Sequence, residues 1–166
     1  NKYKLLDSST RRNLELAETL REKQKSGSLL WVLDKTRTAM GARLLRNFLE
    51  QPLIDEDDIN ERLEAITSLN QNSINREEIR EYLNPIYDLE RLISKISYKT
   101  ATPRDLMAFK SSLTMLPHIK YLLKGLDGSL LSRIDENLDP LEDILELIET
   151  SISEEPPISI KEGSII

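Results

Sequence analysis

Residues 27–53 read GSLLWVLDKTRTAMGARLLRNFLEQPL, a stretch that contains the only tryptophan of the chain, one of its two phenylalanines and many aliphatic residues. Apolar side chains recur at helical spacing in its second half, which predicts an amphipathic helix over residues 39–51. The apolar face consists of Met40, Leu44, Leu45, Phe48 and Leu49. Thr38 is placed to cap the helix, and Pro52 ends it because proline disfavours helical geometry in the residue before it. We expect this face to be a core, with Leu45 fully buried at its centre.

Two further features of the stretch predict how it packs. The short apolar turn before the helix is expected to bring Trp31, the only tryptophan, onto the apolar face. Gly41 lies in the first helical turn, although glycine in a helix interior costs about 1 kcal/mol relative to alanine. We therefore expect another backbone to approach closely at this position. Arg43 and Arg46 fall on the opposite, polar face.

The same stretch closely resembles the core domain of the bacterial MutS family, the DNA mismatch-recognition ATPases. That family shows a run G-S-L…L-D-x-T-x-T-x-M-G-x-R-x-L-R-x-W-L…P-L, and Phe48 departs from it where tryptophan is common. The matching residues taken as the family signature are Gly27, Leu33, Asp34, Thr36, Thr38, Gly41, Arg43, Leu45, Arg46 and Pro52. The segments LDSSTRRNLEL, DLERL, TPRDL and EPP…EG resemble the same domain, so the likeness spans nearly the whole chain.

The resemblance implies a structural role inside a larger protein. It implies that residues 1–166 form a single helical domain, the first part of a MutS-like core domain, truncated before the lever helices and the clamp. In such a parent, the core links an ATPase domain to a DNA-binding clamp. The implied partners are mismatched double-stranded DNA, a second subunit and other domains of the same chain. The implied cofactors of the parent are ATP and magnesium, with none in this segment, and the implied location is cytoplasmic.

Composition agrees with a helical domain and excludes several other classes. The length of 166 residues suits about one domain, and seven prolines with five glycines suit helices with short connections. The sequence has no cysteine and no apolar run near the length of about 18 residues that would indicate a transmembrane helix. No signal peptide is visible at the N-terminus. Because the chain does not begin with methionine, we expect it to be a piece of something larger.

Charge is unevenly distributed along the chain. Residues 1–50 contain 11 Lys/Arg and 6 Asp/Glu, whereas residues 51–166 contain 12 and 23. Arg11 and Arg12 are the best local basic pair, and they could contact phosphate. Nine acids and no basic residue lie between Asp135 and Glu155, which indicates either a solvated face or a docking surface for a basic partner. The net charge of −6 argues against this segment being the main nucleic-acid contact.

The remaining sequence predicts an all-α fold, a bundle of six to eight helices. Asp55 caps a helix whose inner stripe is expected to be Ile59, Leu63, Ile66 and Leu69. Further helix starts are predicted from a capping box at residues 75–78 and from cap-then-proline pairs at residues 84–85, 102–103 and 139–140. Glu142 is expected to complete a capping box at the last of these starts. Pro117 is expected to kink or break its helix.

Two segments carry possible strand signals. Residues 158–166, ISIKEGSII, alternate apolar and polar side chains before a glycine, which predicts a small β hairpin. Leu14 and Leu16 alternate with polar residues, so a short extended piece or a helix is possible there. The hairpin could pair with residues near Leu14.

The sequence shows no set of residues that would form an active site. His118 is the only histidine, so zinc sites and Ser-His or Cys-His pairs are not expected. The five glycines do not form a phosphate-binding loop. We therefore expect a scaffold and not an enzyme. Two other classes remain open: a free-standing helical adaptor that binds proteins through its acidic C-terminal face, and a helical enzyme that uses surface carboxylates.

Overall fold

The structure, a computed structural model, describes residues 2–152, and these are predominantly helical. The helices are α1 (Ser8–Asn13), α2 (Leu29–Leu33), α3 (Ala39–Glu50), α4 (Glu56–Gln71), α5 (Ser73–Leu83), α6 (Leu89–Ser97), α7 (Pro103–Leu113), α8 (Leu116–Leu123), α9 (Ser129–Asn137) and α10 (Glu142–Ser151). The all-α prediction is confirmed. Within residues 2–152, eight helices have eight residues or more, and one isolated antiparallel bridge joins Tyr3 and Leu53. The hairpin predicted over residues 158–166 lies outside the described residues.

The chain divides into two compact units, Asn1–Glu64 and Ala65–Ile166, which we call unit 1 and unit 2. In unit 1, the loop between α1 and α2 is tied to the start of α2 by backbone bonds. The Leu30 N–H donates to the Leu16 carbonyl at 2.8 Å, and both side chains are buried. The fully buried Ser28 caps α2, because its hydroxyl oxygen accepts from the Trp31 N–H at 3.2 Å, and its O–H group donates to the Lys25 carbonyl at 2.7 Å.

The prediction that the apolar face of α3 forms a core is wrong within residues 2–152. Thr38 caps the helix as predicted, but no residue of α3 is buried. Leu45, expected to be fully buried, is half-buried, and Leu44 and Trp31 each keep 52% of their surface exposed. The Phe48 ring is covered by a cation, since the guanidinium carbon of Arg62 lies 3.7 Å from its centroid. Amphipathic spacing identified the apolar face correctly, but little within residues 2–152 covers it.

The buried apolar side chains of the described residues are concentrated in unit 2. Helix α7 contributes Phe109 and Leu113, and Leu113 is only 1% exposed. Helix α8 packs against α5 and α9, and α7 packs against α6 and α10. Helix α8 adds four buried apolar residues, Leu116, Ile119, Leu122 and Leu123.

Polar side chains inside unit 2 join segments that are far apart in sequence. The buried Ser112 hydroxyl accepts from the Tyr87 N–H at 3.0 Å, and the buried Ser68 hydroxyl accepts from the Asp127 N–H at 2.9 Å. The Asn75 amide donates to the Leu122 carbonyl at 3.2 Å, which joins α5 to α8. A buried polar group without a hydrogen-bond partner destabilises the fold. These hydrogen bonds therefore determine which segments pack together.

The predicted caps are confirmed where the capping side chain bonds to backbone groups within three residues of itself. Asp55 accepts from the N–H groups of residues 57 and 58, and Thr102 forms a capping box with Asp105. Helix α7 ends at Leu113 and α8 restarts at Leu116, so the predicted break near Pro117 is confirmed.

Other predicted starts are wrong. Helix α5 begins at Ser73 and runs through Asn75, and α6 begins after Asp88 instead of after Pro85. Glu142 completes no capping box, because the preceding Leu141 adopts a left-handed conformation with φ 53°. The predicted stripe of α4 is largely exposed, and its buried residues are Ala65 and Ser68.

Candidate functional site

The signature residues all lie in unit 1, where Asp34 is the centre of a local hydrogen-bond network. One carboxylate oxygen accepts from the Thr36 hydroxyl at 2.7 Å and from the Thr36 N–H at 3.3 Å. The other oxygen lies 2.8 Å from the Lys25 ammonium. These bonds, led by the one from Lys25, lower the pKa of Asp34 to about 2. A carboxylate held ionised in this way fixes the turn between α2 and α3.

Thr38 and Gly41 form the first turn of α3. The Thr38 hydroxyl oxygen accepts from the Gly41 N–H at 3.0 Å. A Cβ at Gly41 would lie 3.1 Å from that oxygen and 3.6 Å from the Thr36 Cβ. The prediction that another backbone approaches Gly41 is therefore wrong. Threonine side chains occupy the space, because a side chain that caps a helix folds over its first turn.

Gly27 has a different structural requirement. Its φ of 88° lies in the left-handed region, and a Cβ there would also lie 3.3 Å from a methyl group of Thr19. Pro52 lies beside the bridge of Tyr3 and Leu53, and its carbonyl accepts from the Lys4 N–H at 2.9 Å. Leu33 remains exposed at the end of α2.

Arg46 belongs to a second network, which joins α3 to α1. Its Nε donates to Glu50 at 2.8 Å, and the other oxygen of Glu50 lies 3.7 Å from an Arg11 guanidinium nitrogen. The Nε of Arg11 donates to the Leu6 carbonyl at 2.9 Å. One carboxylate thus positions two arginines.

A cavity of about 650 Å³, which we call the basic cavity, opens beside these two arginines. Its charged lining comprises Arg11, Arg12, Lys23, Arg46, Glu18 and Glu50. A smaller cavity of about 280 Å³ shares Glu18 and Arg46 and adds Lys25, Asp34 and Arg43. The fold therefore brings three signature residues, Asp34, Arg43 and Arg46, to adjoining cavities, while Leu45 and Pro52 line neither.

Unit 2 contains a second concave feature, which we call the apolar groove. It has a volume of about 570 Å³ and lies between α6, α7 and α10. Its lining includes Ile93, Ile96, Phe109, Ile144 and Leu147. Ile93 and Ile96 both keep substantial exposed surface within it.

Sequence reasoning did not find Lys23 and Glu18 as parts of the basic cavity. Both precede the signature stretch and belong to no motif. Lys23 adopts φ 50°, and its N–H donates to the Thr19 carbonyl at 3.1 Å, so a tight turn places it at the cavity. That turn contains no glycine and no proline, the two residues that most strongly indicate a turn, so the sequence did not predict it.

Among the described residues, no group of three or more His, Cys, Asp or Glu side chains is arranged to hold a metal ion. Within residues 2–152, none of the helices combines the length and the apolar character that crossing a bilayer requires.

Comparison with known proteins identifies the family. Residues 9–166 match the model of the family described as MutS domain III. The chain is 68% identical over its whole length to the DNA mismatch repair protein MutS of Lachnoclostridium phytofermentans, of which it covers 18%. It is 53% identical over 99% of its length to the protein of the same name from Ruminiclostridium cellulolyticum, covering 19% of it. It is 54% identical over 98% of its length to the DNA mismatch repair protein MutS of Alkaliphilus oremlandii, covering 18% of that protein.

The chain thus spans about a fifth of the length of these curated relatives. The resemblance seen in residues 27–53 extends through both units, from α1 to beyond α10. The chain belongs to the MutS domain III family of DNA mismatch repair proteins.

Proposed function

We propose that this chain is the structural core segment of a DNA mismatch-recognition ATPase and that it links the ATPase domain to the DNA-binding clamp of the whole protein. The observation that carries the proposal is apolar surface left exposed on ordered, capped helices of unit 1. Leu29, Trp31, Val32, Leu44 and Phe48 are all exposed in the region of α2 and α3. Contiguous exposed apolar surface indicates a site of contact with another protein element.

The relative lengths support the same proposal. The matched relatives are about five times as long as this chain, so they contain ample sequence to supply elements that pack on α2, α3 and the apolar groove. A link between distant sites has to transmit movement through packed elements with few alternative arrangements. Capped helices fixed by Asp34 and Thr38 suit that task, because their ends have little freedom.

The proposed partners follow from this role. In the whole protein they are mismatched double-stranded DNA, a second subunit and other domains of the same chain, in the cytoplasm. ATP and magnesium would bind elsewhere in the whole protein, since this sequence has no phosphate-binding loop and the described residues offer no metal-binding cluster. This segment would have no catalytic step of its own.

The experiment that tests the link uses the full-length protein. Leu44→Lys places a charge on the exposed apolar side of α3 and leaves the caps of the helix intact. ATP turnover is measured without DNA, with matched duplex and with G·T-mismatched duplex. We expect unchanged turnover without DNA and at least about a tenfold loss of the response to the mismatch, equivalent to about 1.4 kcal/mol of coupling.

Asn47→Lys is the matched control, since it adds the same charge on the polar side of the same helix. It should leave the mismatch response within about twofold of the unmodified protein, because surface substitutions away from packed contacts have small effects. An unaltered mismatch response in Leu44→Lys would overturn the proposed link. Equal losses in both variants would do the same.

A further inference from the structure

The basic cavity of unit 1 contains two arginines that are already held in place. Glu50 binds Arg46 and lies beside Arg11, and Arg11 also donates to the Leu6 carbonyl. A guanidinium has five N–H donors in a planar fork. Within residues 2–152, these contacts use only some of the donors of each arginine. An anion that binds the remaining donors costs little further side-chain entropy, because the guanidinium groups are already held in place.

Two more cations of the cavity have no partner within residues 2–152. Within the described part of the chain, the side chains of Arg12 and Lys23 form no hydrogen bond or ion pair. Four cations therefore line the basic cavity against two carboxylates, Glu18 and Glu50. The excess of positive charge in a concave surface favours an anionic ligand.

The basic cavity also has an apolar component. Leu16 is buried in its wall, and Leu20 keeps 47% of its surface exposed. The Leu20 N–H donates to the Glu15 carboxylate at 2.7 Å, which holds this part of the loop in place. A ligand that fills the cavity would therefore contact leucine side chains as well as cations.

We propose that the basic cavity binds an acidic, amphipathic protein segment, in which carboxylates alternate with aliphatic side chains. Carboxylates match the arginine fork in charge and geometry, and aliphatic side chains match Leu20. The volume of about 650 Å³ lies within the range of about 300–1,000 Å³ that is usual for ligand sites.

A nucleic-acid backbone fits the same surface less well. Its phosphates accept hydrogen bonds but donate none, so a phosphate backbone offers no donor to Glu18, which lines the basic cavity together with the cations. A peptide has N–H groups that can donate to such a carboxylate. Exposed Leu20 also offers nothing to a phosphate. The protein segment is therefore the ligand class that uses every part of the lining.

The test measures peptide binding by fluorescence anisotropy with the intact chain. The probe is a fluorescein-labelled peptide with the sequence of residues 141–152, LEDILELIETSI, which is acidic and amphipathic. We expect saturable binding that weakens when salt is raised from about 0.1 M to about 1 M, since the Debye length falls about threefold. A second peptide with Gln and Asn in place of its Glu and Asp residues should not bind.

The decisive variant is Arg12→Gln combined with Lys23→Gln. Both side chains are exposed and unpartnered within residues 2–152, so the variant should fold normally. We expect binding of the acidic peptide to weaken by at least about tenfold. The control is Arg21→Gln combined with Lys35→Gln, which removes the same charge from exposed positions that line neither the basic cavity nor the smaller cavity beside it. It should weaken binding by less than about threefold, because it changes only the long-range field.

Three results would overturn the proposal. One is the absence of saturable binding by the acidic peptide. Another is an equal loss of binding in the two double variants, which would mean attraction to net charge alone. The third is a labelled matched duplex that binds with a dependence on Arg12 and Lys23 when the peptide does not, which would make the basic cavity a nucleic-acid contact.

Discussion

The Lys25 ammonium lies 2.8 Å from a carboxylate oxygen of Asp34, and this ion pair joins the loop before α2 to the residue that ends α2. Between the two residues lie Gly27, with its left-handed backbone, and the fully buried Ser28. The pair therefore closes a short segment whose backbone is already constrained. Because Asp34 also accepts from Thr36, the same carboxylate fixes the turn that leads into α3.

The first prediction concerns stability at acid pH. The pKa of Asp34 is lowered from 3.8 to about 2 in the folded chain, chiefly by the hydrogen bond from Lys25. A lowered pKa means that folding favours the ionised form. The contribution of Asp34 is therefore fully present above about pH 4 and is lost as the pH falls towards 2. Thermal melts should show that Asp34→Asn lowers the melting temperature near neutral pH and that the difference from the unmodified chain shrinks below pH 4.

Asp143→Asn provides the matched control for this series, since Asp143 is an exposed acid on α10. Its melting temperature should follow that of the unmodified chain across the same pH range. A constant difference between Asp34→Asn and the unmodified chain down to pH 2 would show that the ion pair does not stabilise the fold.

The second prediction concerns the capping box of α7. Thr102 accepts from the Asp105 N–H at 3.2 Å, and the Asp105 carboxylate accepts from the Thr102 N–H at 2.9 Å and binds Lys95 at 2.8 Å. Thr102→Ala should lower the free energy of unfolding by about 0.5–2 kcal/mol, the usual cost of losing a cap. Urea denaturation measures this difference. Thr100→Ala, in the same loop but outside the box, should cost clearly less, and equal costs would contradict the cap assignment.

The local caps could be predicted from the sequence, because an Asp carboxylate or a Thr hydroxyl next to a helix start accepts from backbone N–H groups only two or three residues away. Thr38, Asp55 and Thr102 act as predicted. The start predicted around Asn75 is wrong because its side chain bonds to Leu122, 47 residues away, which no local pattern reveals.

Burial was the harder property to predict. Periodicity shows which side of a helix is apolar, but it does not show whether the same chain supplies something to cover that side. Phe109 and Leu113 are covered within unit 2, whereas Leu44 and Phe48 are exposed although their spacing is equally regular. The basic cavity could not be predicted from the sequence either, since the folding of the loop after α1 is what places Lys23 beside the same cavity as Arg46.

The third prediction follows from this difference in burial. Leu113→Ala removes a side chain that is 1% exposed and should lower the free energy of unfolding by about 2–5 kcal/mol. Leu45→Ala, in half-buried surroundings, should lower it by less than about 2 kcal/mol in this chain, because less apolar area leaves water on folding. Chemical denaturation of the two variants makes the comparison. A larger cost for Leu45→Ala would mean that the apolar face of α3 is a core, as its spacing predicted.

The fourth prediction is a coupling between Gly41 and Thr38. Alanine at position 41 gains helix propensity, but its Cβ would lie only 3.1 Å from the Thr38 hydroxyl oxygen. In a Thr38→Gly background that oxygen is absent, so Gly41→Ala should become more favourable by about 0.5 kcal/mol or more. A double-mutant cycle in urea measures the coupling energy. An additive result would mean that the cap tolerates the extra methyl group without strain.

The most direct test of the proposed core role is hydrogen–deuterium exchange of α3 in two settings, the isolated chain and the full-length protein. If α3 packs on other elements of the whole protein, amides of residues 39–50 should exchange at least about tenfold more slowly there, since packing raises the free energy of local opening. Amides of α7, which is already packed through Phe109 and Leu113, serve as the internal reference. We expect slower exchange in α3 with little change in α7. Equal exchange of α3 in both settings would contradict it.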